Sequence, residues 1–234
     1  MENKWKEFLK WAEECYLTMT GKRQDRECWD RAFTLLKEIV SAERSAQPER
    51  IIDPFQLDED TDYEYDVQGW LGDFLNDMDT YEEYEKLLNV CEELLHMFRG
   101  GEGMVSKVKF MKMSALVALE RTDEALQFSR QWLEEEGDNM DAIAANIYSY
   151  TAVRDMKTAD ELVRRHIPEG TKCRSKNNIL FAAASTLYEE AGNEKEKNRI
   201  DQEIAAYIER LKDYYMGGVK EKNGSPQDDD ELPF

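Results

Sequence analysis

The stretch of more than one hundred residues between Pro54 and Pro168 contains no proline, and that constrains the fold most. A proline ring removes the N–H an α-helix needs and clashes with the preceding turn, so a long proline-free run is what consecutive helices require. All five prolines (Pro48, Pro54, Pro168, Pro226 and Pro233) lie outside the strongly periodic segments. Within those segments the apolar residues recur at helical spacing. Trp5, Phe8, Leu9, Ala12, Cys15, Tyr16 and Met19 form one stripe, and Cys28, Trp29, Ala32, Phe33, Leu36, Ile39 and Val40 a second. Val67, Trp70, Leu71 and Leu75 mark a shorter helix over 67–78. Tyr84, Leu87, Leu88, Cys91, Leu94, Leu95 and Phe98 mark the next, which ends at Gly100-Gly101-Glu102-Gly103. The spacing predicts further helices at about 104–120, 123–136, 139–153, 157–166, 176–191 and 194–215.

No segment alternates with the period of a strand. The expected fold class is therefore all-α, with about nine or ten helices in antiparallel pairs, because the connections are short. One helical domain is expected over 1–216. It comprises an N-terminal helix pair at 1–45, an acidic loop at 46–66 and repeat-like hairpins at 67–216. A flexible tail follows at 217–234, where glycine, serine and proline are frequent and apolar residues few.

The hairpins carry a periodicity of their own. Arg121-Thr122-Asp123-Glu124-Ala125-Leu126 reads as a turn entering a helix, and Ala159 stands 34 residues after Ala125. Tyr150 precedes Ala159 by nine residues, a further unit is read around Ala191-Gly192-Asn193-Glu194-Lys195-Glu196 after a small insertion at 167–175, and Tyr81-Glu82-Glu83-Tyr84 reads as the start of an earlier unit's second helix. This pattern resembles the tetratricopeptide repeat, whose period is 34 residues. The resemblance implies antiparallel hairpins stacked as a solenoid over roughly 67–215. The Trp, Leu and Gly usual in the family's first helix are absent, and Trp132 and His166 stand where it has small residues. An irregular helical bundle is the alternative.

Charge narrows the function classes. The chain has 51 acids against 31 bases, a formal net charge of −20. That balance argues against non-specific nucleic-acid binding and against anionic membrane surfaces. No run of about 18 apolar residues is present to form a transmembrane helix. Met1-Glu2-Asn3-Lys4-Trp5-Lys6 does not read as a signal peptide, and a cytoplasmic location is expected. The widely spaced Cys15, Cys28, Cys91 and Cys173 read as reduced core thiols. His96 and His166 belong to no catalytic pattern. His166 stands at a helix C-terminus, where a cation would be favoured. No enzyme activity, catalytic residue, cofactor or metal site is expected.

The acidity is uneven. Residues 51–99 hold fifteen acids and two bases, whereas residues 1–50 are neutral overall. Within the acidic segment, Asp58, Asp60 and Asp62 match the first ligand positions of an EF-hand loop, but Tyr63 and Gly69 stand where that loop needs Gly and Glu. Two readings remain. One is a solvated loop that caps the next helix. The other is an acidic interface of Asp58, Asp60, Asp62, Tyr63, Glu64 and Tyr65 that meets a basic partner.

The chain closes on Asp228-Asp229-Asp230-Glu231-Leu232-Pro233-Phe234. This run resembles the acidic C-terminal tip of bacterial single-stranded DNA-binding proteins. The resemblance implies partners among replication and repair proteins that recognise such a tip through a basic rim and an apolar pocket. It does not imply direct nucleic-acid binding, because no candidate for that family's β-barrel is present. The expected function is a protein-interaction adaptor. Its helical array binds one protein partner, and Asp228, Asp229, Asp230, Glu231, Leu232, Pro233 and Phe234 bind another. The alternative is an acidic DNA mimic that blocks a nucleic-acid-binding protein.

Overall fold

A computed structural model describes residues 2–22, 24–98 and 103–216. Among them are eleven α-helices and no strand. The chain divides into two compact units, Met1–Leu119 and Glu120–Phe234.

The first unit contains α1 (Glu2–Met19), α2 (Glu27–Ala46), α3 (Pro54–Asp60), α4 (Val67–Thr80), α5 (Tyr84–Met97) and α6 (Met104–Ala118). Helix α1 packs on α2, α4 on α3, α5 and α6, and α5 on α6. The apolar stripes of the sequence face inward, and seven aromatic rings form a continuous chain between α1, α2 and α4. Tyr65 stacks on Trp5 with ring centroids 4.7 Å apart, and Trp5 meets Phe8 edge-on at 5.9 Å. Phe8 meets Trp70 at 5.2 Å, Trp70 stacks on Phe74 at 5.2 Å, and Phe74 contacts Trp29 and Phe33, each at 5.5 Å. Each such ring removes a large apolar area from water, and offset or edge-on geometry adds to that gain. Arg26, just before α2, ties this core to the link between α4 and α5. Its guanidinium bonds Asp77 and Glu83 and lies 3.9 Å from the Tyr81 ring.

The second unit contains α7 (Thr122–Glu135), α8 (Met140–Ala152), α9 (Met156–His166), a single 3-10 turn at Ser175–Asn177, α10 (Asn178–Glu190) and α11 (Glu194–Met216). Helix α8 packs against α7, α9 and α10, and α10 also packs against α11. Being covered on several sides, α8 is apolar or small around most of its circumference, with every residue from Ala142 to Ile147 buried. Its one buried amide, Asn146, donates to the carbonyls of Ser129 and Ala142, so neither amide hydrogen is stranded. Tyr188 on α10 donates to Asp160 on α9 at 2.9 Å. The segment before α10 is strapped to α11, since Arg210 donates to the Cys173 carbonyl and Lys172 pairs with Glu203.

One turn recurs. Glu82, Glu120, Arg154 and Gly192 all have left-handed backbones, with φ of 56°, 60°, 64° and 64°. Each stands two residues before a helix start, at Tyr84, Thr122, Met156 and Glu194. At three of them the hydrogen bonds are the pair that closes a Schellman motif. Glu83 N–H donates to the Met78 carbonyl, Asp155 to Tyr150 and Asn193 to Tyr188, at 2.8 to 2.9 Å. Asp155 and Asn193 then cap the next helix by accepting from Thr158 N–H and Glu196 N–H. Ala125 and Ala159, the pair that revealed the period, are both fully buried. An all-helical chain with helices packed on their neighbours and a recurring turn is compatible with a helical repeat.

Helix α3 departs from the expected loop at 46–66. Asp53 is its N-cap, accepting from Gln56 N–H at 2.9 Å, and Pro54 is its first residue. Proline is well placed there because the first N–H of a helix has no intrahelical acceptor. The Asp-Pro pair was the start signal in the sequence.

Trp70→Ala is expected to destabilise the protein by about 3–5 kcal/mol, from lost burial plus the cavity left between α1, α2 and α4. Urea unfolding measures it, and a loss below about 1 kcal/mol would show that the aromatic chain is not what holds these helices. Glu82→Gly should act in the opposite direction. Relief of the left-handed strain is expected to outweigh glycine's extra unfolded entropy by about 0.5 kcal/mol, visible as a higher melting temperature.

Candidate functional site

The acidic segment 51–66 is where structure and sequence bear most directly on function. Helix α3 is short, and its inner side is apolar, with Leu57 and Pro54 buried. After it, Asp62 and Tyr63 take left-handed backbones in succession (φ 48° and 60°), and Tyr63 N–H donates to the Asp58 carbonyl at 2.7 Å. The chain then enters α4 through Asp66, a left-handed N-cap (φ 43°) that accepts from Gly69 N–H at 3.2 Å.

Asp58 is not part of a solvated loop. Its side chain is turned inward, with 1% of the residue exposed. One oxygen accepts from Val67 N–H at 2.6 Å, and the other accepts from Gln68 N–H and the Gln68 amide at 3.1 and 3.2 Å. A carboxylate from one helix therefore caps the N-terminus of the next, where unpaired N–H groups and the helix dipole favour negative charge. Gly69 has a reason of the same kind. A Cβ there would lie 2.3 Å from the Asp66 carboxylate.

The six predicted interface residues thus separate. Asp58 and Tyr65 are buried, the latter against Trp5. Asp60, Asp62, Tyr63 and Glu64 face solvent. Asp60 is paired with Arg50. The three aspartates that echo an EF-hand do different jobs and do not converge. Among the described residues, no group of three or more His, Cys, Asp or Glu side chains is placed to hold a metal ion. Phe55, which sequence reasoning passed over, belongs to the exposed surface. Its ring is 48% exposed and meets Tyr63 edge-on at 6.4 Å. The signal available was an apolar residue one place after a helix-starting proline, off the buried stripe.

The four cysteines are buried. Loss of solvation pushes the Cys91 thiol to about 12 and Cys173 to about 11, and raises Cys15 as well. Cys15, Cys91 and Cys173 therefore stay protonated at neutral pH and are poor nucleophiles. His166 is not the helix-end cation the sequence suggested, because burial first and Arg165 second lower its pKa and keep the ring neutral at pH 7. A shallow groove of about 560 Å³ between α1 and α2 is lined by Trp11, Arg31, Glu7, Glu27, Asp30, Thr34 and Leu35. Its cation Arg31 is already engaged, pairing with Glu27 at 3.0 Å and lying 4.6 Å from the Trp11 ring.

The residues of the predicted tail site, Asp228, Asp229, Asp230, Glu231, Leu232, Pro233 and Phe234, lie outside the described residues. No helix among the described residues is long and apolar enough to cross a membrane. No protein-family model, curated protein or solved structure matches the chain.

Asp58→Ala would leave the first N–H groups of α4 without their acceptor in a buried place. A destabilisation of about 2 kcal/mol is expected, with Asp58→Asn less severe because one oxygen remains. Thermal unfolding of both variants decides it; an equal loss in both would show that negative charge, not acceptance alone, is required.

Proposed function

We propose that this chain is a non-enzymatic protein-interaction adaptor. Its helical hairpins, stacked as a tetratricopeptide-like solenoid, hold one protein partner. Its acidic tail docks on proteins of DNA replication or repair. The observation that carries the reading is the run Asp228-Asp229-Asp230-Glu231-Leu232-Pro233-Phe234. The Phe234 ring fills a small apolar pocket on the partner, beside a basic rim. Pro233 limits the freedom lost on docking. The four acids before Leu232 speed encounter with a basic rim and make the association salt-sensitive. Support for the hairpin half comes from the recurring left-handed turn and from the buried Ala125 and Ala159 at the repeat spacing.

The charge distribution favours a second reading. With fifteen acids against two bases over residues 51–99, the body can act as a DNA mimic that occupies a basic nucleic-acid-binding surface.

Binding of the full chain to purified tip-recognising replication and repair proteins tests the first reading. Phe234→Ala should weaken binding by roughly tenfold or more, the scale of a lost anchor residue, and separately Asp229→Asn with Asp230→Asn should weaken it and flatten its salt dependence. Unchanged binding in both would remove the tail reading. Displacement of DNA from a basic partner by both altered chains would favour the mimic.

A further inference from the structure

We propose that the outer surface of α3 and the turn after it is a docking site for a basic, amphipathic protein segment. The inference deepens the adaptor reading. It rests on that reading's claim that the helical body binds a protein, but not on its tail.

Three large apolar side chains are exposed over thirteen residues of this segment: Ile51 at 66%, Phe55 at 48% and Tyr63 at 55%. Phe55 and Tyr63 are in contact, so they form one aromatic surface. The fold gains little from either ring. The core here is already filled by Leu57, Tyr65 and Val67. Tyr63 is also a bulky residue at φ 60°, where asparagine or glycine would be easier. A strained aromatic presented to solvent is a surface feature with no evident stabilising role.

Charge selects the occupant. Glu59, Asp62 and Glu64, which flank the two aromatic residues in the chain, are exposed, and Asp62 has no ion-pair partner among the described residues. Asp58 is turned inward and Asp60 is already paired with Arg50, so both are engaged within the fold. The segment thus exposes two touching aromatic rings and three carboxylates within six residues. Lys or Arg side chains suit it twice over. Their cations pair with the acids or lie over the rings, and their alkyl stems cover the apolar area. An acidic partner or a polyanion is repelled. A second copy of this chain, at net charge −20, is disfavoured by the same field.

The test uses the full chain and fluorescence anisotropy of labelled peptides. One peptide is an amphipathic helix of lysine and leucine; the others are polylysine and a glutamate and leucine counterpart, all at about 150 mM salt. The lysine and leucine peptide should bind, and the other two should bind at least about tenfold more weakly. Phe55→Ala with Tyr63→Ala should weaken binding by about tenfold. Asp62→Asn with Glu64→Gln should weaken it by about threefold and flatten its salt dependence. Glu134→Gln with Asp138→Asn, which removes the same charge elsewhere, should leave it within about twofold. Circular dichroism confirms folding, and the single variants Phe55→Ser and Tyr63→Asn replace the double if it unfolds. No binding up to about 1 mM overturns the proposal. So does equal binding of polylysine, or binding indifferent to Phe55 and Tyr63. Concentration-dependent dimerisation that Phe55→Ala abolishes also overturns it, by making a second copy the occupant. Repeating the titration on the Phe234→Ala chain separates the two readings: intact peptide binding with unchanged tail binding removes only the tail reading.

Discussion

The left-handed residue between paired helices is the constraint on which the hairpins depend. A helix of thirteen to fifteen residues, such as α4 or α8, cannot bury its apolar stripe alone and is marginal in water. It must be followed at once by a partner running back along it. Reversal within two residues needs one residue at positive φ, and the Schellman hydrogen bonds then satisfy the carbonyls left open at the helix end. Glu82 and Arg154 accept that backbone although neither is glycine. Each such position costs on the order of 1 kcal/mol, offset by the packing it makes possible.

The same logic of satisfying helix ends explains much of the acidic segment. Fifteen carboxylates over residues 51–99 suggest a uniformly charged surface, but several are structural. Asp53, Asp58 and Asp66 accept backbone N–H groups at the starts of α3 and α4. Asp77 and Glu83 hold Arg26. The charge left open at the surface is smaller than the count implies, and Asp62 and Glu64 flank the exposed Tyr63 in the chain. Affinity at such a surface comes from the rings, and the acids contribute mainly to steering and selectivity.

Much of the helical order was legible in the sequence, because the stripes that built it are local. The predicted starts of α4, α5, α6 and α11 match those observed, and other boundaries differ by a few residues, as helix ends do. The period between Ala125 and Ala159 was legible for the same reason. Helix α3 was missed because seven residues hold too few apolar positions to show a period, and acids dominated the composition. Three of the four left-handed turns were missed as such because glycine is the usual signal and only Gly192 carries it.

By itself the sequence determined the all-α class, the pairing of helices through short links and the run of residues 228–234, each of which depends on neighbours in the chain. Only the tertiary structure decided which acids are spent inside. Asp58 and Asp62 are the same residue type four places apart, yet one caps α4 from the interior and the other faces water. That difference comes from where α3 and α4 meet in space. Likewise Tyr63 and Tyr65 separate into an exposed ring and one stacked on Trp5. The burial of a polar group is set by the elements packed around it, and composition carries no record of that packing.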